Sequence, residues 1–244
     1  MNNLLDFYQN LCNAVDALHF SWPVEFVYNP LRYAWNGFTQ YNEMYSNGHK
    51  RVVFLGMNPG PWGLAQTGVP FGEINAVRNF LRIASISITH PDNESIKYPV
   101  LGLDCRKSEV SGKRLWGLFS QRFGTAENFF RENFVLNYCP LLFIARNDKG
   151  GFRNYTPDRI RQDESALLFE LCDICLIKAI EILSPHYVVG IGNFAYKQAK
   201  KALIGMNVSV SKILHPSPAS PSANKGWAEK AEHQLKESGV WNEL

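Results

Sequence analysis

Three polar side chains in this sequence each stand at the end of a short apolar run. Asn58 follows "VVFLGM", Asn137 closes "FVLN" and His215 follows "VSVSKIL". A further run, Tyr187–Ile191, exits at Gly192-Asn193. If these runs are parallel strands, their carboxyl ends share one edge, and ligands of open α/β sheets bind outside that edge. Two amides and one imidazole gathered there can give and accept hydrogen bonds around a flat, amide-like molecule and polarise it. Each residue also has a plainer reading. Asn58 before Pro59 suits a turn, Asn137 suits a strand-end cap, and His215 before Pro216 suits a satisfied, partly buried histidine. Convergence of the three on one crevice is what favours a ligand.

Other chemistries find less support. No lysine stands at a strand exit to form a Schiff base. Ser217 lies near His215 but no acidic partner completes a triad. Gly190-x-Gly192 lacks the third glycine and the acidic ribose ligand of a dinucleotide fingerprint, and there is no Gly-Lys-Ser/Thr phosphate loop. Cys172-x-x-Cys175 falls in a helical pattern without a second ligand pair, so it reads as core rather than as a metal or cluster site. Asp104 and Glu109 lie in a stretch that periodicity does not place, and they form no convincing acid/base pair. The expectation is a site without metal or cofactor, made of amides, one imidazole and backbone N–H groups.

The elements that must position these groups follow from the apolar pattern. Val52–Leu55, Phe134–Leu136, Tyr187–Ile191 and Val208–Leu214 are strand-length runs, each with β-branched residues. Helical spacing covers Leu4–Leu18, Glu73–Ile83, Ser111–Phe123, Thr156–Leu183, Asn193–Ile204 and Ala223–Ser238. Thr156 and Pro157 suit a helix start, Pro185 and Gly239 helix stops. The stretch from Phe20 to Asn47, with Pro23, Pro30 and Gly37, predicts little regular structure. Alternating strands and helices predict a three-layer α/β/α sandwich around a parallel sheet. With no linker or repeat, residues 1–244 are expected to form one domain.

Composition sets outer bounds. The chain has 244 residues, 45% hydrophobic and 19% charged, enough for a packed core. A net charge of +3 is compatible with a nucleic-acid partner without requiring one. Five irregularly spaced cysteines argue against a disulfide framework. Neither a signal-peptide pattern nor a membrane-length apolar run is present. An intracellular monomer is therefore expected, in the cytoplasm or nucleoid of a bacterium or the nucleus of a eukaryote.

Three blocks carry a family resemblance. "GMNPGPWGLAQTGVPFGE" (Gly56 to Glu73), "NYCPL" (Asn137 to Leu141) and "HPSP…ANKGW" (His215 to Trp227) resemble the motifs of the single-strand-selective monofunctional uracil-DNA glycosylases. "EVSGKRLWGLF" (Glu109 to Phe119) is similar to the same family, and order and spacing suit residues 47 to 235. The resemblance implies the uracil-DNA glycosylase fold, with a central four-stranded parallel sheet. It also implies hydrolysis of the uracil–deoxyribose bond to an abasic site, without strand cleavage. It gives Asn58 the attacking water and His215 the leaving uracil. Asn137 becomes the amide that tells uracil from cytosine, and Phe71 the stacking face. Backbone N–H groups around Met57 and Gly60 line the pocket. Gly60, where related enzymes carry a bulky side chain, leaves room beside C5 and implies 5-hydroxymethyluracil as a second substrate. Ser217 and Lys225 flank the expected crevice and are candidate DNA contacts, with Ala219 in the loop that would act as a wedge. The family commonly has an arginine wedge where this chain has Ala219, so weaker action on paired DNA than on single strands is expected. Three rival readings remain open. They are the same fold acting on xanthine or hypoxanthine, a catalytically silent reader of single-stranded DNA, and a small-nucleotide hydrolase.

Overall fold

The computed structural model describes residues 4–241. Helix α1 (Leu4–Asp16) leads to strand β1 (Val24–Tyr28), helices α2 (Pro30–Tyr33) and α3 (Trp35–Tyr45), and strand β2 (Val52–Gly56). Next come the one-turn helix α4 (Leu64–Thr67), a π-helical turn at Ala76–Phe80, helices α5 (Val110–Phe123) and α6 (Ala126–Phe130), and strand β3 (Asn133–Asn137). Strands β4 (Leu142–Arg146) and β5 (Phe152–Tyr155) precede helix α7 (Gln162–Leu183). Strand β6 (Tyr187–Ile191), helix α8 (Asn193–Ala202), strand β7 (Ser209–Ile213) and helix α9 (Trp227–Glu237) complete the order.

The four apolar runs form one sheet in the order β3-β2-β6-β7, and every pairing is parallel. β2 is central and buried along its whole length, as a strand covered on both faces must be. Helices α1, α7 and α8 pack as one group, with α8 on β6 and β2. Helices α5, α6 and α9 form another, with α6 against β3 and α9 against β7. Phe54 of β2 meets Phe119 of α5 and Phe129 of α6, and Trp116 joins that aromatic cluster. The expected α/β/α sandwich around a four-stranded parallel sheet is the observed architecture. The Cys172-x-x-Cys175 pair is buried in the core, and both thiols are free.

The stretch from 20 to 47 departs from expectation, since it contains β1, α2 and α3. Its aromatic spacing serves tertiary packing that local proline and glycine signals conceal. Phe38, Tyr41 and Tyr45 lie on one buried face of α3. The Tyr41 hydroxyl donates to the Val135 carbonyl at 3.0 Å and accepts from the Val135 N–H at 3.3 Å, tying α3 to β3. Asn29 caps α2 by accepting from the Leu31 N–H, with Pro30 in the first turn. β1 belongs to a second, antiparallel sheet of order β1-β4-β5, which the four-run reading did not foresee.

Helix limits shift in smaller ways. Thr156-Pro157 opens a 3-10 turn at Pro157–Arg159, and α7 begins only at Gln162, because Ile160 and Arg161 are extended. α9 begins at Trp227 rather than Ala223, after Gly226 in the left-handed region. The helix expected over Glu73–Ile83 narrows to a short segment. The Glu73 carboxylate caps it by accepting from the Ala76 N–H at 2.9 Å.

Candidate active site

Parallel pairing aligns Gly56 with Asn137 at the carboxyl edge of β2 and β3. The register continues past the strands, since the N–H groups of Tyr138 and Cys139 donate to the carbonyls of Gly56 and Met57. The loop leaving β2 is thus pinned to the loop leaving β3 before either turns away. Asn58 is fixed in the same way. Its Nδ2 donates to the Leu141 carbonyl at 3.2 Å, which leaves Oδ1 to accept from another donor.

Gly56 is the floor beneath this edge. A Cβ there would stand 2.2 Å from Asn137 Oδ1 and 2.6 Å from Phe71 Cε2. Only glycine lets the amide and the ring close over the strand end. Phe71 itself has φ of 52°, a left-handed conformation that a bulky residue adopts at a cost. Its carbonyl accepts from Trp116 Nε1 at 3.0 Å and from the Glu73 N–H at 2.7 Å, and these bonds hold it there. Between Gly60 and Phe71 the chain is stapled by buried Gln66. Its Nε2 donates to the carbonyls of Pro61 and Pro99, and its Oε1 accepts from the Leu101 N–H.

His215 arrives from β7. Gly192, at φ of 91°, lies under it, and a Cβ there would come within 3.0 Å of His215 Cβ. The Ser217 N–H donates to His215 Nδ1 at 3.1 Å. A neutral imidazole with Nδ1 as acceptor carries its proton on Nε2. Burial lowers the His215 pKa to about 4, so the ring is neutral at physiological pH. Its centroid lies 6.4 Å from that of Phe71. The loop beyond is held from outside. Arg114 of α5 donates to the Pro216 carbonyl at 2.8 Å and to Asn224 Oδ1 at 2.9 Å, and Trp227 Nε1 donates to the Leu214 carbonyl at 2.7 Å.

These side chains share one cavity of about 280 Å³, large enough for a single flat heterocycle. Met57, Asn58, Gly60, Phe71, Asn137, His215 and Ser217, all expected from sequence, line it. Ala219 and Lys225 do not; both are exposed on the loop beyond Ser217. Asn137 Oδ1 is buried and has no hydrogen-bond partner among the described residues, an acceptor that a ligand N–H would satisfy.

The lining also holds residues the sequence reading left unassigned. Asn154 and Thr156 come from β5 and its exit, part of the unforeseen second sheet, and nothing in their spacing announced them. Glu109 and Ser111 come from the start of α5. The signal for these two was present in the "EVSGKRLWGLF" block, although no periodicity placed it. Glu109 also changes the expected room beside Gly60, because a Cβ on Gly60 would meet Glu109 Oε1 at 2.1 Å. That wall is a carboxyl group rather than open space. Burial, reinforced by Glu73, pushes the Glu109 pKa up to about 7.

The family model of the uracil DNA glycosylase superfamily matches residues 43–237. The single-strand selective monofunctional uracil-DNA glycosylase of Rattus norvegicus is 47% identical over 228 residues, which is 93% of this chain and 80% of the relative. The proteins of the same name from Mus musculus and Bos taurus are each 46% identical, covering 93% and 91% of this chain and 80% and 81% of theirs. Among solved structures, wild-type SMUG2 of Pedobacter heparinus superposes with a TM-score of 0.64 at 17% identity, covering 96% of this chain and 99% of that one. That likeness concerns the fold.

Proposed function

We infer the activity from kinship and weigh it against the cavity: the chain belongs to the uracil-DNA glycosylase superfamily and, within it, to the single-strand selective monofunctional uracil-DNA glycosylases. Its reaction is excision of uracil from DNA by hydrolysis of the N-glycosidic bond, the first step of base excision repair. The product is an abasic site in an uncut strand. No lysine lines the cavity among the described residues, in keeping with an enzyme that makes no Schiff base.

The observation that carries the residue roles is one cavity collecting Asn58 and Phe71 from the loop after β2, Asn137 from the end of β3 and His215 from the exit of β7. A base inside a duplex is out of reach, so the target enters flipped or from a single strand. Phe71 offers its ring as the stacking face. The Asn137 amide accepts from N3–H through Oδ1 and donates to O4, whereas cytosine presents the reverse pattern. His215, its proton on Nε2, donates to O2. As the C1′–N1 bond breaks, its electron pair passes to the uracil, and the His215 N–H stabilises the charge growing on that oxygen. A preorganised donor of this kind is worth about 3 kcal/mol. Asn58 cannot deprotonate water, but its free Oδ1 orients one toward C1′. The water oxygen then bonds to a sugar already close to a cation, and its proton is lost to solvent or to the departing uracil anion. Met57 and Gly60 supply backbone walls. Ser217 at the cavity rim, and Ala219 and Lys225 beyond it, contact the strand.

The finer parts of this reading extend it. Single strands are preferred over duplex, because Ala219 cannot fill the gap left by a flipped base. 5-Hydroxymethyluracil is a second substrate. Residues 1–244 act as one domain and as a monomer, in whichever compartment holds the DNA. The test is alkali treatment of oligonucleotides carrying uracil, 5-hydroxymethyluracil, hypoxanthine or xanthine after incubation with the protein. Strand cleavage at uracil that appears only after alkali is expected. Absence of abasic sites at uracil under every salt condition overturns the reading.

A further inference from the structure

Asn154 and Thr156 line the cavity, yet the reaction described above gives them no part. Asn154 lies on β5, an edge strand of the antiparallel sheet, and Thr156 follows at its exit. Alternation along the strand turns both to one face. Arg153 and Tyr155 take the other, where the Arg153 guanidinium lies 5.7 Å from the Tyr155 ring centroid. Each residue has a plainer reading. A polar residue on an edge strand is ordinary, and Thr156 stands at the N-cap of the 3-10 turn Pro157–Arg159. The Thr156 side chain makes no capping bond, however, and the Asn154 side chain has no hydrogen-bond partner among the described residues. One amide and one hydroxyl are therefore free to meet a ligand.

Which part of a ligand they meet follows from the shape of a polynucleotide, and here the inference rests on the activity proposed above. The sugar–phosphate chain continues past the target in both directions, so it stays outside a cavity of this size. Only the base is a branch with a free end. Whatever its orientation, the base fills the interior and the backbone crosses the mouth. Burial tells the two zones apart. Pro59 and Phe71 are buried, most of the lining is half-buried, and Asn154 alone of the lining is exposed. The β5 wall is therefore at the mouth. The strongest acceptors crossing it are phosphate oxygens, which asparagine and threonine side chains commonly contact. No lysine or arginine lines the cavity among the described residues, so the nearest phosphate is met by neutral donors.

We propose that Asn154 and Thr156 form the binding site for one of the two phosphates flanking the target nucleotide, with Asn154 Nδ2 and the Thr156 hydroxyl donating to its non-bridging oxygens. The other flanking phosphate is left to the loop of Ser217. Few rotatable bonds join a phosphate to its base, so holding the phosphate at the rim sets how deeply the base sits. The contact reads no sequence, since every nucleotide carries the same group. It also gives the antiparallel sheet a task. β5 carries a rim to the cavity on a side where no strand of the parallel sheet ends.

The experiment uses single-stranded oligonucleotides with one uracil and a neutral methylphosphonate placed in turn at the phosphate on its 5′ or its 3′ side. The readout is the enzyme concentration that gives half the maximal single-turnover rate. For wild type it is expected to rise about tenfold at one of the two positions, the worth of a hydrogen bond to a charged oxygen. The Asn154→Ala/Thr156→Val double variant is expected to show a rise of about tenfold on the unmodified strand. The methylphosphonate at that same position should then add no more than about twofold, because the contact is already gone. Equal sensitivity of variant and wild type at both positions overturns the proposal. Insensitivity of wild type at both overturns it without any variant. Inhibition by free uracil, which has no phosphate, is expected to be the same in variant and wild type. A loss there equal to the loss on DNA places these residues on the base and overturns the proposal. Asn154→Asp, at an exposed position that tolerates charge, should weaken DNA binding more than Asn154→Ala, because a carboxylate repels phosphate. The opposite order overturns the proposal. Failure of wild type to release uracil at all overturns the activity reading, and this inference with it. Normal uracil release with any of the other adverse results overturns this inference alone.

Discussion

The two loops that close over the cavity are built in opposite ways. The loop from β2 to Phe71 is mostly buried, rich in glycine and proline, and stapled internally by Gln66 and Thr67. The loop from β7 to α9 is mostly exposed beyond Pro216, runs through successive turns, and leans on Arg114 of another element. In the proposed function the first meets a rigid heterocycle, where a displacement of a fraction of an ångström changes which atoms meet, and the second meets a sugar–phosphate strand whose conformation varies from site to site. On that reading the loop tied within itself meets the invariant part of the substrate, and the exposed loop tied to α5 meets the variable part.

The comparison should fail first at the strand exits, where both loops are anchored. Asn58→Ala and His215→Ala are each expected to lower the single-turnover rate of uracil release by ~10²–10³-fold, with DNA binding changed only a few-fold. Near-wild-type rates in both would remove these residues from the chemistry and with them the reason for comparing the loops. Asn137→Asp, which takes away the donor to O4, should also depress uracil release. Unchanged release excludes it from recognition.

The next effect is one of stability with pH, and its sign separates the two walls. The Glu109 pKa is raised from its ordinary 4.5 to about 7, so the folded state holds the extra proton and stability falls as pH rises through that window. The His215 pKa is lowered from 6.5 to about 4, so the unfolded state holds the extra proton and stability falls as pH drops through that window. The two slopes oppose each other. Glu109→Gln should therefore add little at pH 4 and on the order of 3 kcal/mol at pH 8, read as a shift in urea midpoint. An equal effect at both values would mean that the carboxyl is not held neutral in the folded protein.

Gly56→Ala tests the stiffness of the first wall directly. The added methyl must displace Asn137 Oδ1 or the Phe71 ring, with a loss of about 1–3 kcal/mol in stability and at least a tenfold loss in rate. Tolerance of alanine there would show that the wall yields. The smallest effects belong to the second loop. Ala219→Arg and Lys225→Ala should each change stability by less than about 0.5 kcal/mol, because both positions are exposed. Ala219→Arg should raise activity on duplex DNA a few-fold and narrow the gap between single and double strands. Lys225→Ala should weaken binding evenly across sequences and reduce the salt slope by about 1. A strong duplex preference in the unaltered protein would reverse the role given to Ala219.

The division between what the sequence discloses and what it hides follows the same physics. The four parallel strands were legible because each is a short run of large apolar and β-branched residues ending in a polar group. The residues at their exits were legible because topology alone sends those exits to one edge. α3 was hidden because its burial depends on Tyr41 reaching β3, a contact 94 residues distant in the chain. Asn154 and Thr156 were hidden because β5 joins the cavity only through an antiparallel sheet with weak local patterning. Glu109 was hidden in another sense. Its neighbours were recognisable, but a buried carboxyl without a partner contradicts every local rule and is visible only once Gly60 and Gly63, about fifty residues away in the chain, close around it with Gly112.

The φ of Phe71 has a consequence for anyone who would improve this protein. Glycine or asparagine would relax the backbone at that position, recovering some of the ~1–3 kcal/mol held in the turn. Either would also delete the aromatic face over the cavity. Phe71 is also buried in the core, so loss of its ring costs about 3–5 kcal/mol, more than the relaxed backbone returns. At Phe71 durability and usefulness ask for the same ring, and the backbone alone carries the cost.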